Sequence, residues 1–123
     1  MESHAVQPIQ APTLNLPSSP NIVKVRIIDT TTSIRCKADY FLSPIVGGMS
    51  DLLCNAFAFL VENPRTGEKV IFDLGVRKDW ENLAAPMVER LRQTFDIHVM
   101  KGVADILKDE DLNLEEINSI IWR

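Results

Sequence analysis

Apolar and polar positions alternate from Ile22 onward, with Val23, Val25 and Ile27 on one parity and Lys24 and Arg26 on the other. A period of two is the pattern of a half-buried β-strand. It predicts a first strand from Ile22 through the β-branched Thr30, Thr31 and Thr32 to Ile34. Asp29 followed by three threonines fits a bend in that strand and a turn equally well. Leu52 to Glu62 is a nearly unbroken apolar run, and beyond Asn63-Pro64-Arg65-Thr66-Gly67 a second β-favouring run covers Glu68 to Leu74. Two such runs around a Pro/Gly turn predict a β-hairpin, whose second arm ends in Asp73-Leu74-Gly75.

After Gly75 the period lengthens. Trp80, Leu83, Ala84, Met87, Val88, Leu91 and Phe95 follow helical spacing, and Pro86 sits where a helix can begin. This predicts one broken helical segment, or two. Val103, Ile106 and Leu107 give a further short helical face, Leu114-Glu115-Glu116-Ile117 a turn, and Ser119-Ile120-Ile121-Trp122 a short buried strand. Between the first strand and the hairpin, Lys37 to Asp51 mixes Tyr40, Phe41 and Leu42 with Pro44, Gly47 and Gly48, the composition of a long loop. The fold class is therefore α+β, with antiparallel strands first and helices after them. Residues 1–21 carry Pro8, Pro12, Pro17 and Pro20 among polar residues, which predicts a flexible, disordered tail. Residues 22–123 are the folded domain.

The chain has 123 residues, enough for one small domain, and its 46% hydrophobic and 24% charged residues are those of an ordinary globular protein. Its 13 basic and 17 acidic residues leave a net charge of −4 with no Lys/Arg cluster. Nucleic-acid binding needs basic residues gathered on one face, so that partner is not expected. No apolar stretch approaches the ~20 residues that span a bilayer. Residues 1–10 contain Glu2 and no Lys or Arg, unlike a secretory signal, so the expected compartment is the cytosol. There Cys36 and Cys54 are expected to remain thiols and to act as small buried hydrophobes.

Chemistry-bearing residues are sparse. The two histidines, His4 in the tail and His98 in Phe95-Asp96-Ile97-His98-Val99, have no second ligand at metal-binding spacing. His98 reads as a structural or surface histidine. Gly47-Gly48 lacks the Lys and Ser/Thr of a phosphate loop, and no Gly-x-Ser-x-Gly occurs. The acidic residues Asp109, Glu110, Asp111, Glu115 and Glu116 lack the alternation and Gly of a calcium loop and read as a solvated helix end. No catalytic residue and no metal ligand is assigned.

An apolar hairpin closing in Val70-Ile71-Phe72-Asp73-Leu74-Gly75, helices after it, and then Leu112-Asn113-Leu114-Glu115-Glu116-Ile117-Asn118-Ser119-Ile120-Ile121-Trp122 form an ordered set. Together they resemble the front of a metallo-β-lactamase-fold hydrolase, nearest in pattern to the N-acyl homoserine lactonase-like branch. In that family the hairpin strand ends in Phe-Asp-Thr-Gly or Phe-Asp-Leu-Gly, and an acidic turn and strand lead into a His-x-His-x-Asp-His metal motif. The resemblance covers Val23 to Arg123 and implies an incomplete αββα-type half that stops short of that motif.

For a full-length member the resemblance implies zinc, which lowers the pKa of a bound water and polarises the carbonyl of a cyclic ester or amide. It implies no cofactor held by this chain itself. Asp73 is implied to lie beneath the metal loop and steady its ligands without touching the metal. On its residues alone, Asp73 caps the following turn, and both readings stand. Gly75 either lets the backbone pass close to that loop or simply ends the strand. Tyr40, Phe41, Ile45 and Met49 are implied to line a pocket for an acyl chain or aromatic ring; read alone, they cover the sheet.

Two functions follow. The first is the N-terminal portion of a metal-dependent hydrolase acting on small lactones or lactams, inactive alone for want of the metal motif. The second is a non-enzymatic interaction module, whose uncovered faces and strand edges pair with a second copy or with a full-length relative. A complete small α+β fold unrelated to hydrolases is the remaining alternative.

Overall fold

The computed structural model describes residues 10–15 and 17–122. Five strands, β1 (Lys24–Lys37), β2 (Asp51–Glu62), β3 (Lys69–Phe72), β4 (Phe95–Val99) and β5 (Ile117–Ile121), form one sheet in the order β4-β1-β2-β3-β5. All neighbours are antiparallel except β3 and β5, which run parallel. Helices α1 (Ala85–Thr94) and α2 (Val103–Asp109) are accompanied by short 3-10 turns at Ala38–Tyr40, Trp80–Asn82 and Leu114–Glu116. The chain is thus α+β with a mixed sheet. Residues 10–15 and 17–23 carry neither helix nor strand, and the remainder of the expected tail lies outside the described residues.

The β2–β3 hairpin forms as the two apolar runs predict, turning through Asn63–Glu68, where the Asn63 N–H donates to the Glu68 carbonyl at 2.9 Å. Pro86 occupies the first turn of α1, where its missing N–H leaves no hydrogen bond unmade. The ambiguity at Asp29 resolves as a bulge inside β1. Asp29 faces Phe57 and Thr32 faces Ala56, so Thr30 and Thr31 are extra residues, and Thr31 takes a φ of 54°. The Thr31 N–H donates to the Asp29 carboxylate at 2.9 Å, which offsets part of that strain.

Three expectations are corrected. Phe95 does not extend α1; it opens β4, and Phe95, Ile97 and Val99 alternate with Asp96 and His98 across the two sheet faces. The terminal strand β5 is not buried: Ile120 and Ile121 are 55% and 52% exposed because β5 is an edge strand. The apolar parity of β1 does not point into the core. Ile28 is buried, whereas Val25 and Ile27 are exposed on the opposite face.

Among the described residues the core lies on one side of the sheet. Ile28, Ala58, Leu60 and Ile71 pack there with Val103 and Leu107 of α2, and Leu74, Ile106, Leu112, Leu114 and Ile117 close around them. On the other side, register aligns Ile27, Phe59, Phe72 and Ile121 in one row and Val25, Val61 and Val70 in the next. No element among the described residues covers this face, and Ile27, Phe57, Phe72 and Ile121 remain largely exposed.

Candidate functional site

The candidate site is the turn that follows β3. The Asp73 N–H donates to the Ile121 carbonyl at 2.8 Å, which brings the end of β5 alongside this turn. Asp73 has a φ of 64°, a left-handed conformation that Asp tolerates because its short carboxylate can bond the neighbouring backbone. Here it does so: one carboxylate oxygen accepts the N–H of Leu74 at 2.6 Å and that of Gly75 at 3.1 Å. Asp73 is therefore the cap of its own turn. Gly75 has a φ of 61°, and a Cβ there would meet the Thr30 side chain at 2.9 Å. Thr30 is held in place by donating its hydroxyl to the Ala56 carbonyl at 2.7 Å. The threonine bulge of β1 and the Asp73–Gly75 turn are locked against each other.

Just beyond the turn, the Arg77 guanidinium grips Asp79 through two hydrogen bonds of 2.7 and 2.6 Å. That partner pulls the Asp79 carboxyl down to about 2, Asn82 assisting, against a smaller opposing effect of desolvation. The pair ties down the loop leading to Trp80, one of the few residues of this region in the core.

Trp80 also walls an apolar cavity of about 470 Å3 on the helix side of the sheet. Its other walls include Ile34, Cys36, Phe41, Cys54, Leu91, Phe95, Ile97 and Trp122. Tyr40 lines an adjoining hollow of about 490 Å3 that shares Cys36, Trp80, Phe95 and Ile97 with the first and is bordered by Arg35, Lys37, Asp51 and Arg92; its ring lies 6.2 Å from that of Phe95. Of the four loop residues expected to form a pocket, Phe41 and Tyr40 thus reach different hollows, while Ile45 and Met49 line neither and are exposed. The sequence reading missed Phe95 and Ile97 as cavity walls. Their alternation with Asp96 and His98 was the available signal, overridden by helical spacing upstream.

Cys36 is buried as expected, but Cys54 is exposed. His98 lies on the β4 edge with its Nε2 3.0 Å from an Asp96 oxygen, and its side chain is 72% exposed. His4 lies outside the described residues. Among the described residues no three His, Cys, Asp or Glu side chains converge as a metal-binding group. The donors among the described residues therefore do not make up the ligand set of a catalytic metal centre. No helix of the described residues is long and apolar enough to cross a membrane.

No family model matches the chain. Its sequence is 38% identical over 117 residues to a gamma-lactamase of Fusarium pseudograminearum, covering 90% of this chain and 28% of that protein. It is 32% identical over 126 residues to a metallo-hydrolase of Annulohypoxylon moriforme, covering 99% of this chain and 33% of the relative. These likenesses support a fragment of the metallo-β-lactamase-fold hydrolase family. A cytochrome P450 monooxygenase of Penicillium brevicompactum is also 34% identical over 115 residues, 90% of this chain but only 13% of that protein. The metallo-β-lactamase-fold relatives are thus matched over a third of their length or less, and the mixed sheet with its two helices is compatible with part of that fold.

Proposed function

We propose that this chain is the N-terminal sheet of a metal-dependent hydrolase that opens cyclic esters or amides, and that alone it has no hydrolytic activity. The observation carrying this reading is the parallel β3–β5 pair, whose ends meet at Asp73 and Ile121. A segment continuing from β5 would emerge directly beside the Asp73–Gly75 turn. In this reading the metal, zinc by resemblance to the family, is held by ligands outside this chain, and Asp73 and Gly75 shape the ground beneath them. Asp73 does so through the turn it caps, so its local role and its family role are one.

The substrate class, small lactones or lactams, rests on family likeness and on the name of the Fusarium relative. The test is a hydrolysis assay of the purified chain on simple γ-lactones and γ-lactams with and without added zinc. The expected result is no rate above the metal-only control. Ring opening that depends on both chain and metal would overturn the proposal.

A second reading is favoured by the uncovered apolar face carrying Ile27, Phe57, Phe72 and Ile121. Sheets with one such face pack against another sheet about 10 Å away, so the chain would pair with a second copy or with a full-length relative. Sedimentation of the chain alone and with such a relative separates the two partners.

A further inference from the structure

Cys36 and Cys54 are the two cysteines of this chain, and the fold brings them together. β1 and β2 pair Cys36 with Leu52 and Ile34 with Cys54. Directly paired residues share a face, so both thiols rise from the same side of adjacent strands, one step apart in register. Both also wall the same apolar cavity. They differ in access, since Cys36 is 5% exposed while Cys54 is open to solvent. Burial, reinforced by Cys54 and Asp51, pushes the Cys36 thiol up. Cys36 therefore stays a protonated thiol at neutral pH, and Cys54 is the sulfur that a reagent meets first.

We propose that Cys36 and Cys54 form a thiol–disulfide exchange site for a low-molecular-weight disulfide such as glutathione disulfide, with Cys54 attacking and Cys36 resolving. Cys54 gives its proton to solvent, and its Sγ attacks one sulfur of the reagent. The reagent's S–S bond breaks, and one glutathione leaves as a thiolate that takes up a proton. Cys36 Sγ then attacks Cys54 Sγ in the mixed disulfide. The Cys54–glutathione bond breaks, the second glutathione leaves, and the Cys36 proton balances its charge. Two protein thiols are oxidised by two electrons while one disulfide is reduced to two thiols.

Diagonal neighbours on a sheet stand farther apart than directly opposed ones, so closing the bridge draws β1 and β2 together. The site suits that movement. It lies beside the last register pair, Lys37 with Asp51, where the strands give way to the loop of residues 41–50.

The test incubates the full chain, reduced and freed of reductant, with oxidised glutathione, followed by peptide mass spectrometry. The expected product has the Cys36 and Cys54 peptides joined, both thiols lost and no glutathione retained. Cys36→Ser is expected to stop at a glutathione adduct on Cys54. A wild-type chain that accumulates glutathione on Cys54 beside a free Cys36, or one whose two thiols stay unreactive, overturns the proposal. The wild-type product is read directly, so the result does not depend on the variant folding.

Discussion

Thr30 and Gly75 approach each other so closely that no side chain fits between them: a Cβ built on Gly75 falls 2.9 Å from both Cγ2 and Oγ1 of Thr30. Thr30 is fully buried inside the β1 bulge, and Gly75 closes the turn after β3. The contact joins two segments 45 positions apart and fixes the height at which the Asp73 turn stands over the sheet.

Gly75→Ala is therefore expected to destabilise the chain by about 2–4 kcal/mol, combining left-handed backbone strain with overpacking against a fixed β-branched residue. Gly67→Ala is the matched control. Its φ is 76° but nothing lies within 4 Å, so only the strain of ~1–2 kcal/mol applies. Urea unfolding of both variants checks the difference, and equal losses would show that the Thr30 contact yields freely.

Replacing Asp73 separates its charge from its turn. Asp73→Asn keeps an oxygen for the Leu74 and Gly75 N–H groups and a side chain at ease with φ of 64°, so a loss within about 1 kcal/mol is expected. Asp73→Ala removes both features and is expected to lose about 2 kcal/mol or more. Thermal unfolding of the two variants measures the ordering, which would reverse if the negative charge, not the turn, were what the fold requires.

The Arg77–Asp79 pair makes an acid-side prediction. Because Asp79 titrates near 2 when folded and 3.8 is its ordinary value, its contribution is complete above about 4 and is lost as pH falls through 2. Asp79→Asn is expected to unfold with a shallower decline in stability between pH 4 and 2 than wild type. The pair is about half exposed, so the effect shrinks in high salt. Denaturation midpoints across that window, at low and high salt, provide the check.

The uncovered sheet face predicts a surface phenotype. Ile27→Lys and Phe57→Lys place charges among exposed apolar side chains, and they are expected to reduce both self-association and binding of a hydrophobic dye without large loss of fold. Sedimentation and dye fluorescence read the two effects. Unchanged dye binding in the double variant would show that some other surface carries the apolar patch.

The sequence alone determined what depends on neighbours along the chain. The β2–β3 hairpin, the Pro86 start of α1, the short α2 and the Asp73-Leu74-Gly75 turn were all legible, because periodicity and turn chemistry act over a few residues. The same locality explains the errors. Phe95 matches the helical spacing behind it as well as the strand alternation ahead of it, and pairing with Cys36 on β1 makes it a strand. Alternation in β1 showed that Val25 and Ile27 share a face, but only tertiary packing decides which face α2 covers, and it covers the other one. Likewise no spacing along the chain announces that Gly75 must meet Thr30, or that Cys54 stands beside Cys36. Those proximities come from strand register across the sheet, where hydrogen bonding between distant segments selects a single alignment.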